Sequence, residues 1–397
     1  MALPRQKNRY EILDGLRGVA ALVVLAYHLC DLHSTGNPAD SHVNHGYLAV
    51  DFFFILSGYV IGYAYDDRWD RMNLTDFFKR RLIRLHPMII ISTVIGVLLF
   101  YTGAGDMFPL IADTSAVMLL FCSVLSVLMI PAPVSIDIRG WSEINAINGN
   151  AWTLYYEYFA NIIYALFIRR LSKIGLSVFV GLSAILTLNL ALDWDLFGTF
   201  ANREAQRFTM IGGWVMDAEH IMISFSRLLF PFFAGLLLSR LNWKINIAKG
   251  FWVTSAFLFA ILMMPRIGGN EHGIYNGIYE AVAVILFFPL IVSMGAGSIV
   301  AGKSAAICKW LGEISYPLYI IHYPIVYTCF GAWSAKHPDL ETWKIVLLSC
   351  GVFVFSVILA HAILKLYDIP VREFLQNRYL KKRPRQEATV VEASSSL

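Results

Sequence analysis

Residues 12–32 read ILDGLRGVAALVVLAYHLCDL, an apolar run that carries Asp14, Arg17 and His28 within it. About 20 mostly apolar residues are enough to cross a bilayer, so this run is a membrane span. Ionisable groups inside lipid cost several kcal/mol, and they face a bundle interior or a wet cavity. Arg17 and His28 are eleven positions apart. At about 100° per residue they fall within roughly 20° of each other, about 16 Å apart along one helix face. This spacing predicts a polar track inside a membrane protein, ending in a titratable imidazole.

Composition agrees with that class. Of 397 residues, 57% are hydrophobic and 15% charged, and the mean hydropathy is +0.59. Soluble domains carry about 25% charged residues. The net charge of +4 is small for so long a chain and predicts no nucleic-acid partner. Cysteines 30, 122, 308, 329 and 350 form no CxxC pair or metal spacing. They are expected to be small core residues, with no metal site. The start, MALPRQKNRYEI, leads into a full-length span without a small-residue cleavage site, so the first helix is expected to remain as an anchor.

Apolar runs occur near 12–32, 46–65, 82–102, 111–130, 152–168, 174–192, 221–239, 250–264, 278–300, 314–331 and 343–366. Basic residues mark cytoplasmic loops. Arg5, Lys7 and Arg9 therefore place the N-terminus inside, and the 68–84 segment is inside as well. If all the runs crossed, Arg169, Arg170, Lys173 and the basic cluster from Arg378 to Arg385 would lie outside. Leaving 111–130 uncrossed removes the conflict. The expected fold is all-α: a polytopic integral membrane helix bundle of about ten crossings, both termini cytoplasmic, in the inner (plasma) membrane. Residues 111–130 are expected as a re-entrant or buried helix on the outer side. A membrane domain over 1–370 would precede a basic, then polar, cytoplasmic tail over 371–397. The outer segments 131–151 and 193–220, mixing Trp, Asn, Asp and Glu, suit a polar mouth or lid.

Several constellations offer chemistry. Asp14 and Arg17, three apart, read either as an ion pair easing insertion or as a guanidinium held toward a cavity for an anionic or carbonyl group. His28, aligned with Arg17, suits a general base, since a neutral imidazole can take a hydroxyl proton at working pH. In GYLAVDFFFILSGYVIGY (46–63), Asp51 is either a snorkelling end residue or a direct participant, while Ser57 and Gly58 permit close helix approach. FFKRRLIRLHP (77–87) carries Lys79, Arg80, Arg81 and Arg84. These fit a plain positive-inside cluster or a site for a polyanion, and Pro87 invites a kink. Glu157, in NAWTLYYE (150–157), needs a partner at its depth. In GEISYPLYIIHYP (312–324), Tyr316, Tyr319 and His322 serve either interhelical contacts or a site.

LDGLRG with His28 ten residues on, GYLAVDFFFILSGYVI, FFKRRLIRLHP, WTLYYE and GEISYPLYIIHYP occur in an order that resembles the acyltransferase 3 family of integral membrane acyltransferases, O-acetyltransferase type. The resemblance spans about 10–324. WTL stands where the family more often has WSL, which keeps the hydroxyl, and an additional extracytoplasmic esterase-like domain found in some members is not expected. The resemblance implies transfer of an acyl group, commonly acetyl, from cytoplasmic acyl-CoA (acetyl-CoA) as co-substrate, with no bound cofactor. The acceptor would be a hydroxyl on a glycan or small molecule. It also implies that Arg17 and His28 are essential. On this basis the catalytic set is His28, Arg17 and Glu157. The substrate contacts are Asp14, Asp51, Ser57, Lys79, Arg80, Arg81, Arg84, Tyr316, Tyr319 and His322.

His28 would either deprotonate the acceptor or carry the acyl group itself. An envelope or exported glycan is the first acceptor, a secreted metabolite or antibiotic sugar the second. A secondary transporter is the rival of another class, although no inverted repeat is visible; a sensor without turnover is a further one. Beyond the lipid bilayer, no partner subunit or oligomeric state is legible. A reporter fused after Leu397 should be reachable from the cytoplasm alone; a tag labelled only from outside intact cells would overturn this topology.

Overall fold

The computed structural model describes residues 10–34, 41–201, 203, 206–267 and 273–380. Arg5, Lys7, Arg9 and the tail beyond residue 380, on which the expected orientation partly rests, lie outside them. Every apolar run is a helix in the structure. In chain order these are α1 Glu11–Asp31, α2 Ala49–Tyr65, α3 Leu74–Leu99, α4 Ala116–Leu128, α5 Trp152–Leu166, α6 Lys173–Ala191 and α7 Ala218–Leu241. Then come α8 Gly250–Met263, α9 Gly273–Val282, α10 Phe288–Gly297, α11 Gly302–Tyr323, α12 Ala332–Ala335, α13 Thr342–Ile363 and α14 Ile369–Tyr379. No strand forms among the described residues beyond two isolated bridges. Wide π turns at Ala283–Phe287, Pro324–Gly331 and Leu364–Asp368 join α9 to α10, follow α11, and join α13 to α14.

Helix starts follow local chemistry. Asn73 accepts a hydrogen bond from Asp76 N at 2.8 Å to open α3, and Asp217 accepts from His220 N at 2.7 Å to open α7. Seven stretches are long and apolar enough to cross a membrane: Glu11–Asp31, Gly46–Tyr65, Leu74–Gly103, Lys173–Ala191, Ala218–Leu241, Gly273–Gly297 and Thr342–Tyr379. The other expected crossings are shorter, at 15 residues for α5 and 14 for α8, or carry charge, as α11 does at Lys303, Lys309 and Glu313.

Two parallel helix pairs form the centre. Along α1 and α11, Asp14 meets Gly312 and Gly18 meets Leu311 with almost no gap: a Cβ on Gly18 would lie 2.4 Å from Leu311 O. Along α2 and α7, a Cβ on Gly58 would lie 1.7 Å from Phe232 O, and one on Gly235 2.0 Å from Ile55 O. Small residues let backbones approach, and dispersion over the whole contact then holds the helices, since lipid supplies no hydrophobic drive between them. α13 is peripheral: only Ser356 and Ala360 of its 22 residues are buried.

Two expectations need correction. α4 is not buried. At 13 residues it exposes Val117, Leu120, Phe121, Val124 and Leu128, an apolar face suited to lipid. Of the cysteines only Cys122 and Cys308 are buried, and Cys350 is exposed. In addition, the last helix runs past residue 370 to Tyr379, and part of it borders the polar interior.

Gly58→Ala should lower stability by about 3 kcal/mol, because the obstructing atom is backbone and cannot yield. Gly181→Ala, with nothing within 4 Å, should be neutral or gain at most about 1 kcal/mol. Thermal unfolding in detergent compares the two, and equal melting temperatures would contradict the packing described.

Candidate functional site

Three cavities follow one another through the centre. The largest, about 860 Å³, opens at the arginine-rich end and is bordered by Arg17, Arg68, Arg80, Arg81, Arg84 and Arg372. Arg17 and Tyr316 also border a middle cavity of about 70 Å³, together with Ser57, Glu157 and Ser315. Val50 and Tyr319 border both this cavity and the third, of about 150 Å³, which holds His28. The expected alignment of Arg17 and His28 is therefore present in series: the guanidinium sits where the first two spaces meet, the imidazole in the last.

Arg17 is held rather than free to swing. Its Nε donates to Ser315 Oγ at 2.8 Å, and its Nη2 donates to Asp14 Oδ1 and Gly312 O, each at 3.1 Å. The glycines that let α1 and α11 touch are what bring Ser315 and the Gly312 carbonyl within reach. In the middle cavity, Arg81 Nη2 donates to Glu157 Oε1 at 2.6 Å, and Ser57 Oγ donates to the same oxygen at 3.4 Å. Glu157 thus pairs with the basic segment and does not reach His28. Tyr316 Oη donates to Leu85 O at 2.7 Å, two residues before Pro87.

In the outer cavity His28 Nδ1 lies 2.7 Å from Tyr327 Oη, and Tyr327 donates to Asp31 Oδ2 at 2.8 Å. His322 lies beside His28, with ring centroids 5.2 Å apart and the planes tilted by 35°. Its Nδ1 donates to Leu318 O at 2.8 Å, and its Nε2 accepts from Asn150 Nδ2 at 2.9 Å. Tyr319 Oη contacts Thr153 Oγ1 at 3.0 Å. Trp141, Glu143, Gly149 and Asn150 from the 131–151 segment and Ile211 and Trp214 from the 193–220 segment enclose the space, so both segments border it. Glu143 accepts from Tyr323 Oη at 2.5 Å and pairs with Arg139. Burial pushes the Arg139 guanidinium below its usual pKa, against the opposing influence of Tyr323 and Asp137.

Asp51 borders none of these cavities. It is fully buried and takes Arg227 Nη2 at 2.7 Å, while Arg227 also donates to Tyr47 O at 2.7 Å and Gly212 O at 3.1 Å. Lys79 is exposed and borders no cavity, unlike Arg80, Arg81 and Arg84. Sequence reasoning missed Asp31, Tyr327, Arg227, Asn150, Arg68 and Arg372. Only Asp31 carried a usable signal, three residues after His28 on the same face. Among the described residues no group of His, Cys, Asp and Glu is arranged to hold a metal ion.

A bundle of apolar helices around a paired-charge interior, open to an arginine-rich vestibule and holding a half-buried histidine, defines a membrane protein with a reaction or transport path inside the bilayer. Comparison with known proteins separates these. The chain belongs to the acyltransferase 3 family, whose model, described as an acyltransferase domain, matches residues 10–361. It is 22% identical over 385 residues to the peptidoglycan O-acetyltransferase OatA of Listeria monocytogenes, covering 91% of this chain and 55% of that protein. It is 22% identical over 408 residues to the O-acetyltransferase OatA of Staphylococcus aureus, covering 96% of this chain and 60% of that one. A protein from Rhizobium radiobacter described as protein 2 in the picA locus is 30% identical over 197 residues, covering 47% of this chain and 97% of its own length. The chain thus spans little more than half the length of the two O-acetyltransferases. No solved structure matches it.

Removing one partner of the Asp51–Arg227 pair strands a charge in a dry interior, at a cost of about 3 kcal/mol or more. Asp51→Asn should therefore melt well below the parent, and Arg227→Gln added to it should recover part of the loss. An unchanged melting temperature for Asp51→Asn would show that the pair holds nothing.

Proposed function

We propose that this protein is a membrane O-acyltransferase that takes an acyl group, acetyl first, from acyl-CoA on the cytoplasmic side and passes it to a hydroxyl of an envelope or exported glycan on the other. The single observation that carries this reading is the series of cavities: a basic vestibule, a junction at Arg17, and a chamber at His28. It sits with ten crossings and both termini in the cytoplasm of a plasma (inner) membrane. The names of the Listeria and Staphylococcus relatives support O-acetyl transfer, and the first supports a cell-wall glycan.

A CoA carries several phosphates, and Arg68, Arg80, Arg84 and Arg372 line the first cavity with matching charge. The thioester arm then runs through the middle cavity past Arg17, whose fixed guanidinium orients the donor and steadies negative charge on the thioester oxygen. His28 Nε2 takes the proton of the acceptor hydroxyl as its oxygen attacks the thioester carbonyl carbon. The carbon–sulfur bond breaks, and the departing sulfur takes the proton back from His28. The products are an ester and free CoA thiol. Glu157 and Ser57 flank the arm, and Tyr319 stands between arm and acceptor.

The test is mass spectrometry of envelope glycans and exported metabolites from cells carrying the protein, lacking it, or carrying His28→Ala. The wild-type protein alone should add the mass of an acetyl group to a glycan. Full acetylation by a normally folded His28→Ala protein would overturn the proposal.

A further inference from the structure

A tyrosine hydroxyl has one proton, and that of Tyr327 is directed at Asp31 Oδ2, 2.8 Å away. A carboxylate has no proton to return, so the Tyr327 oxygen accepts from His28 Nδ1 at 2.7 Å. This direction fixes His28 as the Nδ1–H tautomer and puts the lone pair on Nε2; the Asn150 side chain also hydrogen-bonds the ring. The other charged or titratable groups around the ring do not compete for Nδ1. His322 uses both of its nitrogens on Leu318 O and Asn150, Tyr323 gives its proton to Glu143, and Arg227 is spent on Asp51 and two carbonyls. Tyr27 faces the ring with its centroid 5.1 Å away.

The backbone is arranged for this contact. Asp31 is the last residue of α1, one turn beyond His28. Tyr327 sits in the π turn Pro324–Gly331, and such turns re-aim side chains that a regular helix would send elsewhere. Asp31 Oδ1 is also touched by Ser34 Oγ at 3.4 Å.

We propose that Asp31 is a positioning residue for His28, acting through the Tyr327 hydroxyl. This assignment rests on the reading of His28 as the base. When Nε2 takes the acceptor proton, the ring becomes cationic. The Nδ1–H, Tyr327 and Asp31 chain then stabilises that cation while Asp31 stays ionised, as the buried carboxylate does for the histidine of a serine hydrolase. The proton on Nε2 passes to the leaving sulfur, so each group ends as it began. A histidine without the chain would lose both its orientation and its basicity.

The experiment uses the full chain in membranes supplied with labelled acetyl-CoA, reading label transferred into base-labile ester on the native envelope. Tyr327→Phe, Asp31→Asn, the double variant and His28→Ala are compared. In parallel, diethyl pyrocarbonate labels His28 across a pH series, and the modified peptide is quantified by mass spectrometry. Tyr327→Phe and Asp31→Asn should each lower transfer about 100-fold with an unchanged KM for acetyl-CoA. The double variant should be no slower than the worse single one. The pH midpoint of His28 labelling should fall by about one unit in both single variants, since the cation loses its anionic support. This labelling readout still tests the chain if the variants transfer too little to measure. Losses that multiply in the double variant, or unmoved midpoints, overturn the chain. Single variants at wild-type rates beside a dead His28→Ala overturn it too, leaving the base intact. An active His28→Ala instead defeats the underlying reading.

Discussion

The backbone contact between α1 and α11 governs everything else in the interior. Gly18 and Gly312 remove the side chains that would hold these helices apart, and the pair then runs in parallel with matching registers. Arg17 meets Ser315 near one end, and His28 meets His322 and Tyr327 near the other. Replacing a few atoms of contact by a methyl group would move the guanidinium, the imidazole and their partners together, because they hang from these two helices or, for Tyr327, from the π turn that continues α11.

A second constraint comes from the surroundings. Lipid cannot solvate a charge, so each buried ion must find its counterpart within the protein. Arg227 with Asp51, Arg81 with Glu157 and Arg17 with Asp14 all do so across or along helices. These pairs are unequal in character. Arg227–Asp51 is buried and ties α2 to α7 and to Gly212, with Arg227 bordering the His28 cavity. Arg17 and Glu157 keep one side open to a cavity, so the same rule that stabilises the bundle also leaves polar groups facing an internal path.

The legible part of the site was the part governed by helical periodicity. Arg17 and His28 share a face because eleven residues are close to three turns, and the structure keeps them on one track. Asp31 obeyed the same rule, yet an acid at the end of a span reads naturally as an interface residue. Tyr327 was hidden for a different reason: a π turn shifts the direction of every side chain within it, which an α-helical count does not describe. Arg227 lies 176 residues from Asp51, and no local pattern links them. Glu157 was correctly marked as needing a partner, but Arg81 answers it rather than His28. The basic vestibule was visible only in part, since Arg68 follows α2 and Arg372 comes from the last helix.

The middle cavity and the one that holds His28 share two lining side chains. Val50 and Tyr319 border both of them, so these side chains set how closely the Arg17 and His28 spaces approach. A larger side chain at Val50 would part the two spaces while leaving every buried ion pair intact, so the interior path can be altered independently of its charge.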